Sequence, residues 1–526
     1  METRAVTLAP QGGPTIPGTA APGTLLSDLI REAGLTFAHP CGGHGLCGQC
    51  LVWVSGGFSP VSDAEAALLA RRDTTAGPDG FVPRLACLCR VTGDGEARFQ
   101  GAAGGEPRMA VKHRRIQGDT AIGVAVDMGT TTLAAALYVP GERAPVAEVH
   151  AFSRQSSFGA DVLSRIDYAN TNGLSAPRDA LVGQLTEMIA ELLAGAGLAP
   201  TALGRLVMTG NTTMLHFLTG LDPRGLGAAP FTPVSLFGTA RPAAALFPLL
   251  GPGAELYLPP CVSAYVGADL LCGVLATGLC DTRRPALLAD VGTNGEMALS
   301  VEGALLCCAT AAGPAFEGAG IAMGMPARPG AVSQVVWADG QLRCVTVGGG
   351  TPTGLCGSGL LSAVALLGRL GALEASGRLL ADGHPLAAHI RPRDGQPALW
   401  LTDRVVLTQG DIRALQLAKA AVAAGIDTLL HEAGLAPDAL DVLYLAGGFG
   451  SGLDPAEAAE VGLFPAALLS RTRAVGNAAL NGAALTLFDA DARDEAARAR
   501  GNAREVSLSG SAYFMERYVE RMAFDA

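Results

Sequence analysis

The chain has 526 residues, 49% apolar and 16% charged, with 70 glycines, few aromatics and a formal net charge of −11. That length exceeds one hydrophobic core and predicts three or four domains, and the glycine-rich balance suits an α/β protein with many tight turns. The acidic balance excludes a nucleic-acid surface, which needs clustered Lys and Arg. No stretch of about eighteen apolar residues predicts a membrane span, METRAVTLAPQGG does not read as a signal peptide, and the twelve cysteines point to a reducing, cytoplasmic compartment.

A strand over 4–8 and a Gly/Pro turn lead into a helix over 24–33 with Leu25, Leu26, Leu29 and Ile30 as its apolar face. The loop CGGHGLCGQC follows, then a strand over 51–54, the order of a β-grasp module. Cys41, Cys47 and Cys50 on the loop and Cys87 in RLACLC give the spacing C-x5-C-x2-C-x36-C. Thiolates divided three and one fit a 2Fe-2S core better than the paired knuckles of a zinc site. Gly42, Gly43, Gly45 and Gly48 let the loop fold tightly and turn N–H groups toward sulfur. Cys89 is the rival fourth ligand; the run RLAC resembles the ferredoxin pattern and favours Cys87. The module, residues 1–100, precedes a linker over 101–119 whose Lys112, His113, Arg114 and Arg115 read as solvated.

Beyond the linker, an apolar strand over 121–126 runs into Asp127-Met128-Gly129-Thr130-Thr131-Thr132, and a second strand over 133–138 follows. The pattern returns as a strand over 285–289, Asp290-Val291-Gly292-Thr293-Asn294-Gly295, and a strand over 296–300, with the aspartates 163 residues apart. A repeat of that size predicts two similar half-domains, 120–285 and 286–526. Glycine at such a turn lets the backbone approach a phosphate, successive N–H groups form an anion nest, and the leading Asp can hold Mg2+ through waters. Asp127 and Asp290 are therefore the catalytic candidates, with Gly129, Thr130, Thr131, Gly292, Thr293, Asn294 and Gly295 meeting phosphate. A strand over 443–446 runs into Gly447, Gly448 and Gly450, a surface flat enough for adenine. The run Gly354-Leu355-Cys356-Gly357-Ser358-Gly359, ahead of a helix over 360–370, reads as a further nucleotide-facing turn. The motif G-x4-G-K-[ST] does not occur, which disfavours a P-loop enzyme.

This set resembles the acetate and sugar kinase, Hsp70 and actin (ASKHA) superfamily, which implies ATP between two lobes that open and close. With a 2Fe-2S ferredoxin in front, the chain resembles the ATP-dependent reductive activators of corrinoid proteins. The likeness runs through VDMGTTT, SSFGADVLSRIDYA, TGNTTMLHFLTGLDP, PPCVSAYVGADL, ADVGTNGEMAL, AAGPAFEGAGIAMGM, TPTGLCGSGL, LAGGFGSGLD and GNAALNGA. It implies 2Fe-2S, ATP and Mg2+ as cofactors and one-electron reduction of Co(II) to Co(I) in a corrinoid protein of a methyltransferase or split methionine synthase. It also implies an upstream electron donor and is compatible with a homodimer. The loop 313–325, with Glu317, either faces that corrinoid partner or bridges the lobes. Some relatives carry 4Fe-4S ligands at the C-terminus; here no cysteine follows Cys356, and the seven cysteines from Cys261 to Cys356 read as core. Two other readings stay open: a small-molecule kinase of the same fold, and an ATP-gated redox sensor with a ferredoxin appendage.

Overall fold

The structure, a computed structural model, describes residues 3–10, 14–33, 35, 37, 43, 45, 48, 50–70, 78–99, 122–142, 144–447 and 453–524. Cys41, Cys47, Gly42, Gly448, Gly450 and the expected linker lie outside the described residues. The chain packs as two compact units, residues 1–108 with 150–188 and 216–234, and residues 109–149 with 189–215 and 235–526.

In the first unit, β1 (Arg4–Pro10) alternates so that Val6 and Leu8 enter the core, and β2 (Ile16–Ala20) pairs antiparallel with it. The helix α1 (Leu26–Glu32) buries Leu26, Leu29 and Ile30, each contributing roughly 1.5–3 kcal/mol. β3 (Leu51–Phe58), α2 (Asp63–Leu69), β4 (Val82–Leu85) and β5 (Val91–Phe99) complete a sheet of order β2-β1-β5-β3-β4, with α1 sharing its core. The parallel pairing of β1 with β5 in an otherwise antiparallel sheet is the expected β-grasp. Glu65 on α2 and Arg84 on β4 are both buried and joined by two N···O contacts of 2.9 Å, and Glu65 also accepts from Leu85 N at 2.7 Å. A charge pair this deep holds its place only when both groups are fully bonded; it stations β4 just before Cys87. Farther along, α3 (Val162–Asn172) begins at an Asp161–Ser164 capping box, and α4 (Ser175–Gly195) and α5 (Thr212–Thr219) follow. Arg31 from α1 lies over the rings of Phe158 and Tyr168, 5.4 and 5.2 Å from their centroids, and donates to Tyr168 Oη at 2.7 Å.

The second unit is built on the predicted repeat. β6 (Ile122–Met128), β7 (Thr132–Tyr138), β8 (Ala147–Phe152), β9 (Leu203–Gly210), β10 (Phe237–Pro242) and β11 (Glu255–Pro260) form a sheet of order β10-β11-β9-β6-β7-β8, followed by α6 (Ala268–Thr277). β12 (Ala286–Val291), β13 (Gly295–Val301) and β14 (Ala304–Thr310) open the second half. Small sheets of β15 (Ala331–Ala338), β16 (Gln341–Thr346) and β17 (Gly354–Leu355), then, after α7 (Gly357–Arg369), of β18 (Ile390–Arg393), β19 (Gln396–Trp400) and β20 (Val406–Thr408), are inserted before α8 (Gln409–Glu432). β21 (Val442–Ala446), α9 (Pro455–Glu460), β22 (Thr472–Gly476), α10 (Ala478–Phe488), α11 (Ala490–Gly501), β23 (Ala503–Glu505) and α12 (Ala512–Glu520) end the chain, and the second large sheet runs β22-β21-β12-β13-β14-β23. In each half the leading hairpin strand pairs antiparallel with the next strand and parallel with a later one: β6 with β7 and β9, β12 with β13 and β21. β6 and β12 are apolar almost throughout because both faces are covered.

Helix α10 packs on α6, β6 and β9. The crossing with α6 is so close that a Cβ on Gly482 would fall 1.8 Å from the Cys272 carbonyl oxygen. Gly482→Ala is expected to cost about 2–3 kcal/mol by overpacking, read as a lower urea midpoint; an unchanged midpoint would show that the two helices slide freely. The glycines of the 354–359 run have the same purpose, which corrects the expectation of a nucleotide-facing turn. A Cβ on Gly357 would fall 1.8 Å from Phe316 O and one on Gly359 1.9 Å from Val332 O, and residues 354–360 are buried. Of the seven later cysteines, Cys280 and Cys344 are half-buried and the other five are buried. No helix among the described residues is long and apolar enough to cross a membrane.

Candidate functional site

Cys50 and Cys87 meet in the first unit. Cys50 precedes β3, Cys87 sits in the turn after β4, and antiparallel pairing of Leu51 with Leu85 brings their Sγ atoms to 3.2 Å. Gly45 and Gly48 adopt φ of +66° and +64°, and a Cβ on Gly45 would touch Leu88 at 3.0 Å, so Gly45 lies against the 87–89 turn. Cys89 is buried in the same core as Cys50 and Cys87, together with Leu26, Leu85 and Val91, and burial pushes its thiol up to about 12.

The second unit brings the two hairpin turns into contact. Thr131 Oγ1 and Thr293 Oγ1 lie 2.8 Å apart although 162 residues separate them. Thr130 Oγ1 accepts from Asn211 Nδ2 at 3.1 Å and from Asn294 Nδ2 at 3.5 Å. Register explains why: Asp127 pairs with Thr209 on β9, so Gly210 and Asn211 emerge beside the first turn, as Asp290 pairs with Ala446 and places Gly447 beside the second. Asn477 joins the halves a second time. It caps α10 by accepting from Leu480 N, and its Nδ2 donates to Asp127 Oδ2 at 2.8 Å across 350 residues. Gly129 is needed by its own turn, where a Cβ would lie 2.6 Å from Thr132 O, and Gly295 by the neighbouring strand β14, where one would lie 2.6 Å from Thr310 Oγ1.

Carboxylates crowd the interior of this cleft. Asp290 is held well above the usual carboxylate range by burial first, then by the charges of Asp127, Asp269 and Glu317. Glu296 is buried, and its carboxyl is pushed well up by desolvation first and then by the charge of Asp269, to which it is hydrogen-bonded; burial raises Asp269 as well. Glu296 Oε1 and Glu317 Oε2 are buried without a hydrogen-bond partner among the described residues. Such atoms suit a cation arriving with its own water shell. No three or more His, Cys, Asp or Glu among the described residues stand close enough to hold a metal directly. Asn211, Asp269, Glu296 and Asn477 were not singled out from the sequence, although TGNTTM and GNAALNGA follow strand ends in both halves, which was the available signal.

Three family models match the chain in succession: a 2Fe-2S iron-sulfur cluster binding domain over residues 15–92, the RACo middle region over 122–282, and the C-terminal domain of RACo, the ASKHA domain, over 284–526. The chain belongs to the RACo family. A solved RACo-type structure, a reductive activator for corrinoid, iron-sulfur protein, is 27% identical with a TM-score of 0.73, covering 99% of this chain and 98% of that one. The corrinoid activation enzyme RamQ of Eubacterium limosum is 28% identical across 95% of this chain and 96% of its own length. A [Co(II) methylated amine-specific corrinoid protein] reductase of Methanosarcina barkeri is 25% identical across 65% of this chain and 66% of its own length. In RACo terms, the first hairpin belongs to the middle region and the second to the ASKHA domain.

Proposed function

We propose that this protein is an ATP-dependent reductive activator: it returns one electron to an inactive Co(II) corrinoid protein so that a methyltransferase or split methionine synthase regains Co(I). The contact of Thr131 with Thr293 carries the reading, because it closes two phosphate-type hairpins on each other in a chain that also holds a 2Fe-2S cluster binding domain. Cys41, Cys47, Cys50 and Cys87 would hold the cluster, which when bound supplies one-electron chemistry near −400 mV if it is plant-type. The 3.2 Å approach of Cys50 to Cys87 and the left-handed glycines of the loop fit that group.

Asp127 and Asp290 would hold Mg2+ through waters, a role that the crowded carboxyls and the orphaned Glu317 oxygen fit. Gly129, Thr130, Thr131, Gly292, Thr293, Asn294 and Gly295 would meet the phosphates, and Gly447, Gly448 and Gly450 the adenosine. Placing an electron some 100–200 mV uphill costs on the order of 2–5 kcal/mol, which differential nucleotide binding by open and closed lobes can offset. An upstream electron donor and a cytoplasmic setting belong to the same reading.

The test uses anaerobic, cluster-loaded protein, a chemical reductant and a free-standing corrinoid protein. The Co(II) spectrum is expected to collapse to Co(I) only when Mg-ATP is present. Equal conversion without nucleotide would sink the reading, and a phosphorylated small molecule instead of Co(I) would point to the kinase alternative.

A further inference from the structure

The second hairpin is already occupied by a side chain of its own protein. Glu317, in the short turn Pro314–Glu317, accepts through Oε1 from Thr293 N at 2.7 Å and from Thr293 Oγ1 at 2.8 Å. The same oxygen would lie 3.2 Å from a Cβ on Gly292. Thr293 N–H, Thr293 Oγ1 and the open face of Gly292 are the features that a phosphate oxygen would use. The hold of Glu317 is one-sided, because its other oxygen is buried with no partner among the described residues. A carboxylate bonded at one oxygen only is displaceable by a better anion bringing a divalent cation.

We propose that Glu317 is a resident stand-in for a nucleotide phosphate, and that Mg-nucleotide displaces it and thereby moves the loop 313–325. The inference rests on the reading of the hairpins as a nucleotide site. The loop is folded to move as one piece: a Cβ on Gly318 would fall 2.2 Å from Met325 O, and one on Gly324 2.1 Å from Gly318 O. Its far side is tied to α8, where Ala322 N donates to Asp411 Oδ1 at 2.7 Å. Asp411 is also the third residue of α8 and closes its capping box with Thr408. Displacement at Thr293 is thus conveyed to the first turn of a helix that is buried along most of its length.

The experiment compares full-length, cluster-loaded wild type, Glu317→Ala and Glu317→Gln by calorimetric titration with Mg-ADP and a non-hydrolysable Mg-ATP analogue, alongside backbone hydrogen exchange. Glu317→Ala removes the competitor and is expected to bind nucleotide about tenfold more tightly, because the competent state no longer has to be freed. Glu317→Gln, which keeps the shape but accepts more weakly, is expected to fall between. In wild type, nucleotide should raise exchange over 318–325 and at the start of α8; in Glu317→Ala that exchange should already be high without nucleotide. If wild type binds nucleotide but both variants bind equally or more weakly and the loop exchange does not respond, the gate is overturned while the nucleotide site stands. If no form binds Mg-nucleotide, the hairpin reading itself fails and takes the gate with it.

Discussion

Asp290→Ala is expected to abolish the ATP dependence of corrinoid reduction while leaving the visible spectrum of the cluster unchanged. Asp290 is the penultimate residue of β12 at the mouth of the second turn, paired with Ala446, the last residue of the neighbouring strand before Gly447. Without a cation its environment disfavours charge: burial comes first, then Asp127, Asp269 and Glu317 add like-charge repulsion. A group placed at such expense in a cleft is a functional-site candidate. Loss of its contribution to a metal–phosphate site should lower the ATP-stimulated rate on the order of 100-fold or more, since such charge stabilisation is worth several kcal/mol. Asp290→Asn separates function from folding. Its amide imitates the neutral carboxyl, so the nucleotide-free variant should melt no lower than wild type while losing the same stimulation.

The pH dependence carries a sign. A carboxyl whose folded value is raised does not oppose folding below its unfolded value, and it destabilises progressively as pH rises from there toward the folded value. Nucleotide-free wild type should therefore lose stability across that window, and Asp290→Asn should lose less. Full ATP stimulation in Asp290→Asn would remove this residue from the mechanism.

The hairpins were legible because their determinants are local. A run such as Ile122–Met128, short, apolar on both faces and ended by a glycine turn, reads as a covered strand, and Asp-x-Gly-Thr, found twice in the same context, as the tight turn after it. The observed strands end two residues later than predicted, as at Ile122–Met128 and Ala286–Val291. The fold adds a reason for glycine that the sequence did not show. Gly129, Gly357 and Gly359 are fixed by neighbouring carbonyls that only the folded chain brings near. What stayed hidden is the polar traffic between halves: Asn477 to Asp127, Thr131 to Thr293, Glu296 to Asp269. Single polar residues have no periodicity, and their partners lie hundreds of residues away, so only the internal repeat hints at them. Glu317 shows the limit most plainly: nothing in the sequence of its loop signals that the carboxylate turns back onto Thr293.

Cys87→Ser is expected to remove the 2Fe-2S visible absorption, and Cys89→Ser to retain it. The two residues are separated by one position in the turn after β4, and both are buried in the core of the first unit. Cys87 Sγ lies 3.2 Å from Cys50 Sγ, whereas Cys89 sits beneath α1, where its backbone carbonyl accepts from Leu26 N at 2.8 Å. A ligand thiol has to lose its proton. Cys89, raised to about 12 chiefly by desolvation and only partly relieved by Arg84, is badly placed to do so. Replacing its sulfur by a hydroxyl puts a polar group into an apolar pocket at roughly 1–3 kcal/mol, so Cys89→Ser should lower the melting temperature while the spectrum persists. Cys87 is buried in the same core, but its Sγ lies 3.2 Å from Cys50 Sγ, so Cys87→Ser should lose the absorption whatever it does to the melting temperature. If the absorption survived in Cys87→Ser and vanished in Cys89→Ser, the turn would have to rotate when the cluster is bound, and the fourth ligand would be reassigned.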